Sequence, residues 1–367
     1  MSNPYFSYVL KKVLPFPVIW FLGGLMYWLI ERGVMGDANL YPSSQNVYDP
    51  GSAFIGMVIG SLVMGTLMGF LELRYFKQLL KKSPFYQKLI AKSLIYLSLI
   101  VVFMAVLSMS VNSMSMNENF FSAEVFQSFL NLVTNFAFLT IIMYISVFIV
   151  VGLFISELMD HLGINAVDNF FTGKYQQARP EDRIFMFLDM KSSTTYAEQL
   201  GNLKYYDLLR SYYETMTDAI LRTGGDVYQY VGDEIIISWP VSKGLQKANC
   251  VRCFFLLEEA LKNREQQFLD KLGLIPEFKA GLHHGEVTAG EVGEIKKEIL
   301  FTGDVLNTTA RIQSLCNELH AGLLISEELR QLIPDNGSFQ FEDKGKLELR
   351  GKNEKMQVYA VTRKVDR

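Results

Sequence analysis

Cysteine is scarce in this chain, and over its first 159 residues so is charge. Three cysteines in 367 residues cannot build a disulfide framework. Cys250 and Cys253 form a C-x-x-C, but the run around them, 249–257, reads as a buried helix. With no second cysteine pair and no histidine nearby, neither a zinc site nor a redox pair is indicated. Residues 1–159 hold nine Lys or Arg and seven Asp or Glu, against twenty-six and thirty-one in 160–367. The halves thus differ in charge density more than in sign. The second is mildly acidic, which argues against a nucleic-acid partner.

What fills the charge-poor part is apolar. Half of all residues are hydrophobic and the mean hydropathy is positive, which suggests membrane segments. Four stretches, roughly 13–30, 53–71, 90–111 and 132–155, approach or exceed the ~20 residues that a bilayer-spanning helix needs. The last contains no charged residue, unlike a core helix of a soluble protein. Pro15 and Pro17, the missing small-residue cleavage site and the three later spans separate the first stretch from a signal peptide.

Loop charges give an orientation. Arg74, Lys77, Lys81, Lys82 and Lys88 lie between the second and third stretches, whereas the loop between the third and fourth has no Lys or Arg. The N-terminus, the second loop and everything after Ile155 are therefore expected on the cytoplasmic side of an inner or plasma membrane. No acidic or basic residue sits deep in a span, which disfavours an ion or proton path. The outer loops, 31–51 and 112–131, are too short for a ligand-binding domain. Gly56 with Gly60 and Gly65 with Gly69 have small-xxx-small spacings that permit close helix contact.

The sequence divides into a membrane domain over 1–155, a connector over 156–182 and a soluble domain over 183–367. Ile155, Leu158 and Leu162 continue the fourth span with heptad-like spacing, a hint of short helical pairing between two copies. Gly163 ends that helix, and 179–182 marks the entry to the next domain.

The soluble domain is organised around residues 224–239. Two β-rich runs, 227–231 and 235–239, flank Gly232 and Asp233, the sequence form of a tight hairpin. Asp233 is left at its tip with Glu234 beside it. A second carboxylate, Asp189, ends a compact apolar strand at 184–188. Thr195 and Glu198 are spaced as a capping box opening a helix, and unpaired N–H groups at such a start attract phosphate. A helix over 203–222 places Leu208, Leu209, Tyr212, Met216 and Ile220 on one face, and Gly224 and Gly225 end it. Helical residues run over 244–272, followed by a glycine-punctuated strand pair over 278–293. Residues 298–307 lead into a helix bearing Asn307 and Arg311, four apart and so on one face. A strand at 323–326, a helix at 327–332 and strands near 339–341, 347–349 and 358–361 complete an α+β domain.

These residues carry a family likeness. Phe187, Leu188, Asp189, Met190 and Thr194 come first, then Gly232 with Asp233. Gly281, Leu282, His283, Gly285, Val287 and Gly290 follow, then Gly303, Asp304, Asn307 and Arg311. In this order they resemble the catalytic domain of class III nucleotidyl cyclases over about 183–363, leaving the membrane half uncovered. The resemblance implies an all-α transmembrane bundle followed by an α+β ferredoxin-like cyclase domain that works as a head-to-tail homodimer.

It also implies roles. Asp189 and Asp233 match the aspartates that hold two Mg²⁺ or Mn²⁺ ions per site, with the backbone carbonyl of Met190 as a further ligand. Thr194 matches the phosphate loop. Asn307 and Arg311 match the pair that acts from the opposite subunit on ribose and phosphate, and Lys352 lies where a triphosphate lysine is expected. In the implied reaction the ribose 3′-hydroxyl attacks the α-phosphorus and pyrophosphate leaves. Paired aspartates suit hard cations, which neutralise charge on the attacking and leaving oxygens. A guanidinium grips phosphoryl oxygens bidentately, as lysine cannot. His283 and His284 fall in another motif and read as structural.

The base-reading positions depart from the family pattern. Gln229 stands where adenylyl cyclases commonly have lysine, and Leu300 where they commonly have Asp or Thr. The Glu and Cys of guanylyl cyclases are absent as well. The expected product is cyclic AMP from ATP, on family prevalence. A GTP-using cyclase and a catalytically silent membrane sensor or scaffold stand as alternatives. A diguanylate cyclase also carries acids on a hairpin, but the Asn307/Arg311 helix and the 281–290 motif disfavour it.

Overall fold

The structure, a computed structural model, describes residues 4–40, 48–76, 83–334, 337–348 and 355–364. It divides into two units, one over Tyr8–Asp168 and one built mainly from Asn169–Arg367.

The first unit is helical: α1 (Pro4–Val13), α2 (Pro15–Met35), α3 (Pro50–Leu71), α4 (Phe85–Met116), α5 (Ala123–Val133), α6 (Phe136–Leu162) and the start of α7 (Ile164–Thr172). Starts and stops follow local chemistry. Asp49 accepts from the Ser52 N–H at 2.8 Å and caps α3, with Pro50 at the first helical position. Asn135 caps α6 in the same way through Ala137. Gly163, at φ 88°, ends α6 as its sequence position predicts. Among the described residues four helical stretches are long and apolar enough to cross a membrane, 4–35, 50–76, 85–110 and 136–162, one on each apolar stretch of the sequence.

The two glycine pairs of α3 differ in use. A Cβ at Gly65 would stand 2.4 Å from Pro17 Cα, and one at Gly69 2.8 Å from Val13 Cγ1. That pair lets α3 lie directly on the α1–α2 junction. Gly56 and Gly60 have open space where a side chain would go.

Charge gathers at one end of the bundle. Lys12, Glu72, Lys92 and Glu157 are buried there. Lys92 binds Glu72 and lies 3.7 Å from Glu157, which Lys88 also reaches at 2.8 Å. Lys12 pairs with Asp160, and the Tyr96 hydroxyl reaches Glu72 at 3.4 Å. Buried ions persist only where partners offset their lost hydration, and here each cation has an acid. Lys88, a loop charge in the sequence reading, is thus a residue of α4 in this network. Lys77, Lys81 and Lys82 lie outside the described residues.

The second unit is an eight-stranded sheet covered by helices. Its strands are β1 (Arg179–Met190), β2 (Asp226–Val231), β3 (Glu234–Pro240), β4 (Phe278–Val292), β5 (Glu298–Thr302), β6 (Leu323–Ser326), β7 (Phe339–Glu348) and β8 (Lys355–Arg363). They run in the order β2-β3-β1-β4-β6-β8-β7, with β5 paired to β4. Taken with the helices α8 (Ser193–Arg222) and α9 (Asn249–Lys262), the first four strands form the β-α-β-β-α-β order of a ferredoxin-like sheet. β1 lies at its centre, antiparallel to β3 and β4.

β1 is buried on both faces, which explains its unbroken apolar run. Ile184, Met186 and Leu188 pack with Leu208, Tyr212 and Met216 of α8 and Cys250 and Phe254 of α9. Phe185 and Phe187 face the other way, toward Val287, Phe301 and Val305. Cys250 and Cys253 lie in that first core, where burial pushes both thiols up to about 12. They are neutral at physiological pH, consistent with the structural reading of the C-x-x-C.

Several expectations change. Thr195 and Glu198 form no capping box, because α8 starts at Ser193 after Ser192 in the left-handed region, without a side-chain cap. Gly201 breaks its helical geometry. Helix 244–272 is divided into α9 and a shorter helix, α10 (Glu265–Leu272). The strand pair over 278–293 is one strand, β4, which pairs with β1 over twelve residues. Strands 339–341 and 347–349 belong to a single β7 with a bulge between Asp343 and Lys346; Leu349 lies outside the described residues.

Candidate active site

β1 and β3 run antiparallel with Asp189 opposite Glu234, and β2 and β3 join through Gly232 and Asp233. Gly232 supplies the positive φ, 64°, that this two-residue turn needs. The register therefore sets the turn beside the end of β1. Asp189 and Asp233 stand within hydrogen-bonding reach of each other, the convergence that sequence order alone left open.

The pair is electrostatically crowded. Burial, and then the charge of Asp233, push the Asp189 carboxyl above its ordinary range, while Lys279 and Gln313 pull it back. Lys279 faces Asp189 across the β1–β4 register, with Nζ 3.5 Å from Oδ2. Gln313 donates from Nε2 to the same oxygen at 3.2 Å. Glu234 is pushed up to about 7, first by burial and then by both aspartates. Two adjacent carboxylates offer only hard oxygen donors, and a divalent cation between them would remove their repulsion, so the pair fits Mg²⁺ or Mn²⁺. Among the described residues no group of three His, Cys, Asp or Glu side chains is assembled. Remaining ligands would come from backbone, nucleotide or water. The Met190 side chain is buried in the core, leaving only its backbone for that role.

The hairpin is held from behind. The Tyr213 hydroxyl donates to the Gly232 carbonyl at 2.8 Å and approaches that of Glu234 at 3.4 Å, bracketing Asp233. Tyr230 packs on its ring at 4.5 Å.

Helix α11 (Asp304–Ser314) lies on the Phe187 face of the sheet. Val305, Thr309, Ile312 and Gln313 are buried beneath it, whereas Asn307 is exposed and Arg311 partly exposed. Two residues apart on a helix, Arg311 and Gln313 lie on opposite sides of α11, so the face that bears Asn307 and Arg311 is not the one that meets Asp189. The glycines of β4 allow this docking: a Cβ at Gly281 would lie 2.5 Å from the Gln313 backbone nitrogen, and one at Gly285 2.7 Å from Val305 Cγ2.

The remaining expected positions surround the pair less tightly. Thr194 is exposed in the first turn of α8, where backbone N–H groups lack helical acceptors. Gln229 is exposed on β2, beside the bulge at Tyr228. Leu300, half-exposed, lies opposite Gly290 on β5. Tyr228 and Phe301, their neighbours, bring these strands together, with rings 5.0 Å apart and the Phe301 N–H on the Tyr228 hydroxyl. Lys352 lies outside the described residues. His283 bonds Ser326 at 2.7 Å and pairs with Phe185, four positions along β1 from Asp189, so it stands apart from the carboxylates. Tyr213, Lys279 and Gln313 escaped the sequence reading. Each reaches the site through a non-local register or helix packing, and none lies in a motif that marks it.

A ferredoxin-like sheet presenting two aspartates at neighbouring strand ends defines a nucleotidyl-cyclase-type catalytic domain. The adenylate and guanylate cyclase catalytic domain matches residues 176–363, and the chain belongs to that family. Adenylate cyclase 2 of Rhizobium meliloti (strain 1021) is 33% identical over 210 residues, 57% of this chain and 58% of the relative. The photoactivated adenylate cyclase subunit beta of Euglena longa is 23% identical over 56% of this chain and 24% of its own length. The chain thus spans less than two thirds of either. A solved adenylyl cyclase from P. aeruginosa overlays on 51% of this chain and 96% of its own, at TM-score 0.45 and 24% identity.

Proposed function

We propose that the chain is a membrane-anchored cyclase forming cyclic AMP and pyrophosphate from ATP in a homodimer. Its membrane domain would be 1–155, its connector 156–182 and its catalytic domain 183–367. The observation that carries this reading is the β1–β3 register, which places Asp189 beside Asp233. These two carboxylates, with the Met190 carbonyl, would hold Mg²⁺ or Mn²⁺. When bound there, the ions neutralise phosphate charge and lower the pKa of the attacking hydroxyl.

The chain's own residues divide the rest. Thr194 and the first-turn amides of α8 receive phosphate oxygens. Gln229 offers an amide to the purine edge, and Leu300 contributes shape alone. Asn307 orients the ribose and Arg311 grips the phosphoryl oxygens of the nucleotide held by the other subunit. That assignment rests on α11, whose Gln313 faces the home carboxylates while Arg311 occupies the opposite side of the helix. The lysines near the bundle's charged end favour placing the N-terminus and the catalytic domain in the cytoplasm.

Full-length protein given Mn²⁺ with ATP or with GTP should yield cyclic AMP faster than cyclic GMP, read by product identification. Faster cyclic GMP formation would make this a GTP-using enzyme, and no cyclic nucleotide from either would leave the silent sensor. Tyr213→Phe removes a hydrogen bond worth ~1 kcal/mol, a factor of about five. It should raise the Mn²⁺ concentration for half-maximal activity several-fold while lowering the unfolding midpoint by only about 2–4 °C. An unchanged metal titration would show that the hairpin needs no such brace.

A further inference from the structure

We propose that the helical unit holds a binding site for a lipophilic cation: a single alkyl chain or ring system ending in a quaternary or protonated amine. Between α2, α3, α4 and α6 lies a cavity of about 530 Å³, within the ~300–1,000 Å³ typical of small-molecule sites. Along α2 it extends from Trp20 to Glu31, about 16 Å at the rise of an α-helix, so its mean cross-section is roughly 30 Å². That admits one chain or one ring. It is narrower than a second copy's helix, ~10–12 Å across with side chains.

The walls decide the ligand's chemistry. Trp20, Tyr27, Trp28, Tyr144 and Phe148 line it, with the Tyr27 and Tyr144 rings 5.5 Å apart and those of Tyr144 and Phe148 4.9 Å apart. The polar tips of two are used within the bundle: Trp28 Nε1 donates to the Pro50 carbonyl and the Tyr144 hydroxyl to that of Gly23. What remains for a ligand is the Trp20 indole N–H, buried without a hydrogen-bond partner among the described residues, and ring surface, which attracts cations through the quadrupole of the π-system. Among the lining residues no Lys, Arg or His occurs, and Glu31 is the one acid. The Tyr27 hydroxyl donates to Glu31, whereas Arg32 turns its guanidinium to the Gly36 carbonyl. A carboxylate at one end of an aromatic channel selects a positive head group and repels an anionic one. Gly56 and Gly60 line the same space with nothing within 4 Å of a would-be Cβ. Their missing side chains keep the channel open, in contrast to the tight packing at Gly65 and Gly69.

The test uses the full chain in phosphatidylcholine nanodiscs, titrated with octyltrimethylammonium carrying a brominated tail, a contact quencher of tryptophan. The matching octyl sulfate and octanol serve as the other probes. The ammonium should quench part of the fluorescence saturably and bind at least about tenfold more tightly than the sulfate or the alcohol. Glu31→Gln, isosteric but neutral, should erase that preference, since losing one partner of a desolvated charge pair costs at least about tenfold. Gly60→Leu should abolish saturable quenching with an unchanged unfolding midpoint. Equal binding of the three probes would overturn the proposal, as would wild-type affinity in both variants. A disulfide between two Gly60→Cys chains would do the same by assigning the channel to a second copy. None of these readouts depends on cyclase activity.

Discussion

Chains carrying Asp189→Ala and chains carrying Arg311→Ala, each inactive alone, should recover about a quarter of wild-type activity when co-expressed in equal amounts, as random pairing in a two-fold dimer dictates. Half of the dimers are then mixed, and each mixed dimer has one site with both its aspartates and its arginine. Each single variant should lose at least ~10²–10³-fold in rate, the usual effect of removing preorganised charge from a transition state. The structure motivates the pairing. The aspartates meet within one chain, whereas Arg311 lies on the side of α11 opposite Gln313, which binds Asp189. Cyclic AMP formed per total cyclase protein by the co-expressed mixture is the measurement, and no recovery would mean that each chain completes its own site.

Gly281→Ala should be nearly as damaging although it touches no substrate. Its new methyl would lie 2.5 Å from the Gln313 backbone nitrogen and 2.8 Å from its Cα, and backbone cannot swing aside as a side chain can. Helix α11 must lift off the sheet, drawing Gln313 from Asp189 and displacing Arg311 together. Overpacking of this kind costs ~1–3 kcal/mol or more, about 2–10 °C in midpoint for a domain of this size. Gly285→Ala, which meets only the tip of Val305 at 2.7 Å, should be milder. Thermal unfolding with an activity assay tests the ranking, and an undisturbed Gly281→Ala protein would show slack between helix and sheet.

The parts of the site legible in the sequence were those with local causes. Gly232 and Asp233 between two β-branched runs can hardly be anything but a hairpin, and an apolar run ending in Asp189 reads as a strand. What joins them is register, which no local pattern states. Lys279 and Gln313 lie 90 and 124 positions from Asp189 and meet it only once β1, β4 and α11 are assembled. The capping box failed for a different reason. Ser192, Ser193, Thr194 and Thr195 are four consecutive candidate caps, and Ser192 took the left-handed geometry that starts the helix earlier. The glycines of β4 misled as well: they suggest a break, yet their function is to admit a helix backbone onto an unbroken strand.

Asn307 and Gln313 stand six positions apart on one continuous helix, and no hinge falls between them. Whatever tightens the grip of Gln313 on the home aspartate must also tilt the outward face that bears Arg311. Each nucleotide site in a dimer would then report its state to its twin through a single lever, making the two halves of the enzyme keep time rather than work independently.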